Sequence, residues 1–416
     1  MIASVSRLRR QNKYPPTPWS AQRLYRPFVR WSLVVALTLG FTAGAAMLLL
    51  SALKVSVGLS WITHTQAHGA AQVFGWAGLF MMGVAFHVVP RFRNGPIDFP
   101  WPQRGVLALV LAGIVLRFTG QTVDAPAVSP GVLFASGACL GLGVALFVLV
   151  IGRALHRGTA PHGPAEPWLG MGLIWAVAAA GLHLNIVARM GLDNSLVAPL
   201  FLDGAFVHAA TLGFIGNFIF GVSLRAVTAF LGLPPARRGL GWLAFGCING
   251  GIGLTVGGWL ADLEPWLLAA GALLELIGFA SLVASIGLFG RRNTPPEYNL
   301  GTYVRYGWFI RSAYGWLLVA GILQALQATG GVLDTEVLTT GLAKPTVHVL
   351  ALGFITMMIM GMGSRMIPLF EGSILPGHRL MDLAFVCMNA GVILRLAFGL
   401  LPLGAEWPGL AASGVL

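Results

Sequence analysis

Residues 207–232 read VHAATLGFIGNFIFGVSLRAVTAFLG, and residues 347–372 read VHVLALGFITMMIMGMGSRMIPLFEG. Eleven of the 26 positions are identical at an offset of 140. Each stretch is a long apolar run led by a histidine and studded with glycine, which is long enough to cross a hydrocarbon layer about 30 Å thick as one helix. A weaker copy lies 138 residues earlier, where Gly75, Gly83, His87, Pro90 and Phe92 fall under Gly213, Gly221, Arg225, Thr228 and Phe230. The pattern continues into the next helix, because Arg117 follows His87 by 30 residues and Arg395 follows Arg365 by 30. The repeating unit is therefore longer than one helix.

Working outward, the apolar runs predict spans at 31–53, 64–90, 104–123, 130–155, 168–190, 202–232, 240–261, 264–290, 305–328, 344–370 and 381–402, with a twelfth beginning near Ala405. The expected fold is all-α: a polytopic membrane helical bundle of about twelve transmembrane helices, arranged as three four-helix repeats. The repeats cover about 31–155, 168–290 and 305–416, and residues 1–30 form a basic cytoplasmic tail. The last helix is incomplete, since twelve residues from Ala405 to Leu416 are too few to cross a bilayer.

Composition agrees. The chain has 416 residues, 56% hydrophobic and 10% charged, with a mean hydropathy of +0.79. Soluble domains carry about 25% charged residues. The net charge of +12 is spread between apolar segments, without the aromatic interleaving of a nucleic-acid binder, so no nucleic-acid partner is expected. With the N-terminus inside, 21 of 26 Lys and Arg residues fall on the inner side, leaving Lys54, Arg117, Arg189, Lys344 and Arg395 outside. That split is a positive-inside signal for a multi-pass bacterial inner-membrane protein. Cys139, Cys247 and Cys387 lie in apolar segments with no CxxC pair, which argues against disulfide, iron–sulfur and thiolate zinc chemistry.

Intramembrane ionisable residues carry the functional reading. His64, His68, His183, His208 and His348 all fall toward the outer side, whereas His87 lies 19 residues past His68, about 28 Å along a helix. Imidazoles converging from separate helices suit haem iron or copper; each is otherwise a packed, hydrogen-bonded core residue. Arg117 and Arg395 end equivalent helices, where a guanidinium either pairs with a carboxylate such as a haem propionate or snorkels to the interface. Glu275, in mid-span, has no partner apparent in the sequence. Met357, Met358, Met360 and Met362 read as adaptable core filling.

These residues resemble the NnrS family. The strongest likeness is HVLALGFITMMIMGMGSRM (His348 to Met366), which is similar to that family's His-led, Gly-rich helix ending in Met-x-x-Arg. AHGAAQVFGW (Ala67 to Trp76) resembles its His-x-His helix, with Ala70 where a second histidine is expected. Leu182, His183 and Leu184 resemble its Phe-His-Leu segment. The family is also distantly like haem–copper oxidase subunit I, whose threefold four-helix plan matches the repeat.

The resemblance implies b-type haem near the periplasmic face, copper beside it, and a role with nitric oxide or its metal adducts in nitrosative stress or denitrification. His68 and His348 are then the expected axial ligands. His208, His183 and His64 are further metal-ligand candidates, and Arg117 and Arg395 hold propionates. Two alternatives remain at this level. One is a redox enzyme with nitric oxide reductase-like chemistry. The other is a cofactor-free transporter or sensor.

Overall fold

The computed structural model describes residues 23–53, 55, 60–95, 101–123, 129–290 and 303–399. Most of the basic tail, Lys54 and the proposed start of a twelfth helix at Ala405 lie outside the described residues. Among the described residues, eleven helices are long and apolar enough to cross a membrane: α1 Tyr25–Leu50, α2 Trp61–Arg93, α3 Trp101–Thr122, α4 Pro130–Arg157, α5 Glu166–Leu192, α6 Leu200–Phe230, α7 Arg238–Leu260, α8 Pro265–Ile286, α9 Tyr306–Val332, α10 Leu338–Glu371 and α11 His378–Ala397. The described residues contain no strand. The chain is a polytopic helical bundle, since a helix meets every backbone polar group from within itself and so tolerates hydrocarbon.

Each expected span meets one helix, with ends shifted by a few residues. The shift is six residues at two starts: α10 begins at Leu338, and α1 begins at Tyr25 inside the stretch assigned to the tail. Tyr25 and Arg26 both donate to the Glu371 carboxylate at the end of α10, and Arg23 pairs with it at 2.9 Å. The bundle end holding these residues is called the near end below, and the opposite end, where α2, α6 and α10 begin, the far end.

Three helices form the centre. The apolar windows of α2, α6 and α10 are 94%, 78% and 72% buried, and no other span exceeds 44%. They are the three repeat copies, so the repeat seen in sequence is a threefold arrangement about a central helix trio. The outer helices wrap this trio in chain order, with α3 on α4, α4 on α5, α7 on α8 and α8 on α9.

The repeat extends to backbone detail. Each central helix carries an eight-residue stretch whose hydrogen bonds widen to the π pattern: Ala71–Gly78, Ala209–Gly216 and Val349–Thr356. Their offsets are the sequence offsets of 138 and 140. Such stretches are rare and concentrate at functional sites. Each central helix is also followed by a left-handed residue at the same position: Asn94 (φ 49°), Gly232 (φ 63°) and Gly372 (φ 62°).

Glycines set the distance between central and outer helices. A Cβ on Gly83 would sit 2.6 Å from the Phe28 Cβ, one on Gly221 2.8 Å from the Trp168 Cβ, and one on Gly361 2.8 Å from the Phe309 Cβ. Membrane helices use small residues for such close approach. Gly221→Ala is expected to lower stability by about 1–3 kcal/mol through overpacking. Gly246→Ala, which meets nothing within 4 Å, is expected to be close to neutral. Thermal unfolding of both variants in one detergent checks the contrast.

Candidate functional site

Three polar clusters lie in the far half of the bundle, built around one repeat position. That position is Arg117 on α3, Thr255 on α7 and Arg395 on α11, again at offsets of 138 and 140. Hydrocarbon offers these side chains no water, so each must find a partner within the chain or in a ligand.

The first cluster is closed. Arg117, 1% exposed, donates from Nε to Gln121 Oε1 at 3.3 Å, from one terminal nitrogen to His183 Nδ1 at 3.0 Å and from the other to Asp203 Oδ1 at 3.4 Å. A guanidinium only donates, so His183 Nδ1 is the acceptor and its proton sits on Nε2. That nitrogen donates to Ser136 Oγ at 3.2 Å, and Ser136 donates to the Gly113 carbonyl at 2.7 Å. Gln121 Nε2 donates onward to Gln66 Oε1 at 3.0 Å, and Gln66 ties down Ala198 through both its N–H and its carbonyl. Arg117 thus meets its carboxylate inside the chain, as Asp203, and both His183 nitrogens are engaged.

The second cluster is also closed. Glu275 is fully buried. Its Oε1 lies 2.7 Å from His208 Nε2 and accepts from Thr255 Oγ1 at 3.1 Å, while Oε2 accepts from Gln324 Nε2 at 2.9 Å. The sequence offered no partner for Glu275; three other helices supply them. His208, expected beside the other histidines, turns instead to this carboxylate.

The third cluster is open. His348 Nδ1 donates to the Lys344 carbonyl at 2.8 Å, and its Nε2 accepts from Arg395 at 3.0 Å. Arg395 has no carboxylate among the described residues. His68, on α2, lies within electrostatic reach of both Arg395 and His348. The Leu39 and Gly40 carbonyls lie against its ring, and its buried Nδ1 has no hydrogen-bond partner. A Cβ on Gly44 would stand 2.8 Å from the His68 ring, so glycine is what lets the imidazole pack this closely on α1. One turn along, Gln72 Oε1 is likewise buried without a partner and packs on Gly40.

The structure therefore brings together His68, His348 and Arg395. It does not bring His183 or His208 to them, and Arg117 stands in its own network. His64 packs edge-on against Phe118 of α3, with 6.5 Å between ring centroids. Among the described residues no three His, Cys, Asp or Glu side chains are grouped as metal ligands. The sequence reading missed Asp203, Ser136, Gln121 and Gln324. For Gln324 a signal existed, since it lies 141 residues after His183 and the two occupy equivalent places beside α3 and α7.

His87 belongs to the near end, as expected. It stacks on Phe370 with 3.7 Å between centroids, while Arg225 lies over Phe92 at 4.4 Å and Arg365 over Phe230 at 5.6 Å. His87, Arg225 and Arg365 are repeat equivalents, as are Phe92, Phe230 and Phe370. Each central helix thus places its basic or imidazole side chain on the aromatic ring of the next, closing a threefold ring of stacks.

The family model described as NnrS protein matches residues 300–416, the stretch that holds α9, α10 and α11 and therefore His348 and Arg395. No curated protein matches the chain.

Closed and open clusters differ in what a truncation leaves behind. Arg117→Ala strands the Asp203 carboxylate and is expected to cost about 3–5 kcal/mol. Arg395→Ala removes one hydrogen bond and is expected to cost about 1 kcal/mol. Glu275→Leu strands donors on three helices and is expected to destabilise more than Glu275→Gln, by about 1–3 kcal/mol. Parallel melting curves of the four variants test the ordering.

Proposed function

We propose that this protein is an NnrS-like haem protein of the bacterial inner membrane, acting in the response to nitric oxide or in denitrification. A b-type haem is held between α2 and α10 by His68 and His348. The observation that carries the reading is the asymmetry of the three clusters. Two equivalent sites are satisfied internally, and the third keeps a guanidinium without an acid and an imidazole nitrogen without a partner.

The residues fit the group. The His348 imidazole is tied by Nδ1 to the Lys344 carbonyl, and the Leu39 and Gly40 carbonyls lie against the His68 ring. That is the outer-shell arrangement that fixes a ligating histidine; it leaves the His68 Nδ1 lone pair unused, while that of His348 Nε2 is held by Arg395, which would release it on turning to a propionate. Arg395 is placed to take a propionate, for which a guanidinium is a bidentate match. The absence of a CxxCH motif makes the haem non-covalent. When bound, the haem supplies one-electron redox chemistry. The chain orients the imidazoles, neutralises an acid group and excludes water. By the distribution of Lys and Arg the far end faces the periplasm and the N-terminus the cytoplasm. Copper is left out of the proposal, because His183 and His208 are committed to Arg117 and Glu275.

A reduced-minus-oxidised optical spectrum with iron and copper analysis on one sample tests this. Purified protein from haem-replete cells should show a b-type spectrum. It should be lost in His68→Ala and His348→Ala, weakened in Arg395→Ala and kept in His183→Ala and His208→Ala. A flat spectrum without iron in the wild type sinks the reading.

A further inference from the structure

The central trio is threefold in its backbone, so a polar contact made at one seam only marks a place where the symmetry has been broken. Trp76 Nε1 on α2 donates to Thr356 Oγ1 on α10 at 3.2 Å, and both residues are buried, at 6% and 4% exposure. At the repeat offsets, Trp76 corresponds to Phe214 and Phe354, and Thr356 corresponds to Gly216 and Gly78. The other two copies thus carry phenylalanine and glycine at these positions, which cannot make such a bond. Only the seam between α2 and α10 has exchanged both members for a donor and an acceptor.

That seam is the one whose helices carry His68 and His348. Trp76 follows His68 by eight residues, and Thr356 follows His348 by eight. The contact lies the same distance along each helix from the two imidazoles, across the π stretches Ala71–Gly78 and Val349–Thr356. A π stretch loosens the ladder that would otherwise fix how a helix is rotated at one end relative to the other. A directional bond placed where both stretches finish restores that definition, because a buried indole N–H loses its partner if either helix slides or turns.

We infer that Thr356, through its bond to Trp76, is a positioning residue that sets the register of α2 against α10 and so the mutual placement of His68 and His348. This rests on the haem reading above. It predicts that removing the acceptor disturbs ligation rather than merely packing.

The test compares wild type, Thr356→Val, Thr356→Ser and Trp76→Phe by low-temperature EPR, haem midpoint potential and pulsed-EPR distances. Spin labels are placed at Ile62 and Val347, which are 43% and 46% exposed on α2 and α10, in a background lacking Cys139, Cys247 and Cys387. Thr356→Val keeps the volume and removes the acceptor. Trp76→Phe installs the residue that the other two copies use, so folding is retained if the valine variant fails. The expected result is loss of the low-spin bis-imidazole signal, a shifted potential and a broadened label distance in Thr356→Val and Trp76→Phe, with all three restored in Thr356→Ser. Unchanged haem signatures in both Thr356→Val and Trp76→Phe overturn the inference, whether or not the label distance broadens. A wild type without haem sinks the haem reading itself, an outcome seen before any variant is made.

Discussion

A polar side chain placed in hydrocarbon has no solvent to turn to, and its partner must come from a neighbouring helix or from a ligand. The rest of this structure follows from that requirement. Arg117 reaches Asp203 and His183 on two other helices, and Glu275 gathers donors from α6, α7 and α9. These contacts cross-link helices that packing alone would leave free to slide, since lipid tails are as apolar as the helix faces and give little drive for association. At His68 Nδ1 no partner is found, and Arg395 meets an imidazole but no carboxylate among the described residues.

The threefold plan gives these differences their meaning. The same backbone position holds Arg117, Thr255 and Arg395, and the same histidine position holds Ala70, His208 and His348. Each combination resolves differently. A guanidinium with a carboxylate is self-sufficient. A threonine leaves room for a carboxylate that meets a histidine. A guanidinium facing only an imidazole is short of an anion. One scaffold therefore carries two closed clusters and one whose guanidinium meets no carboxylate among the described residues.

The near end shows the opposite case, in which the symmetry is kept. His87, Arg225 and Arg365 each lie on the aromatic ring of a neighbouring copy, so the three central helices are clasped pairwise without any carboxylate. The Glu371 cluster with Tyr25, Arg26 and Arg23 adds α1 to this end. The bundle is thus held at one end by uniform stacking and at the other by clusters free to differ.

The sequence by itself determined the helices, their number within the described residues and the fourfold spacing of the repeat, because hydropathy and glycine placement are one-dimensional properties of a membrane helix. It also placed five histidines toward one end, with His68 and His348 as the first ligand candidates and Arg117 and Arg395 as candidates for holding propionates. Only the tertiary structure decided which of those residues meet. His183 and His208 are as histidine-like in sequence as His68, yet Asp203 lies 86 residues from Arg117, and Glu275 lies 67 from His208. Separations of that size carry no periodic signal. Which partner a buried polar group finds depends on how helices rotate about one another, and that rotation is set by the glycine contacts, the π stretches and the bond between Trp76 and Thr356.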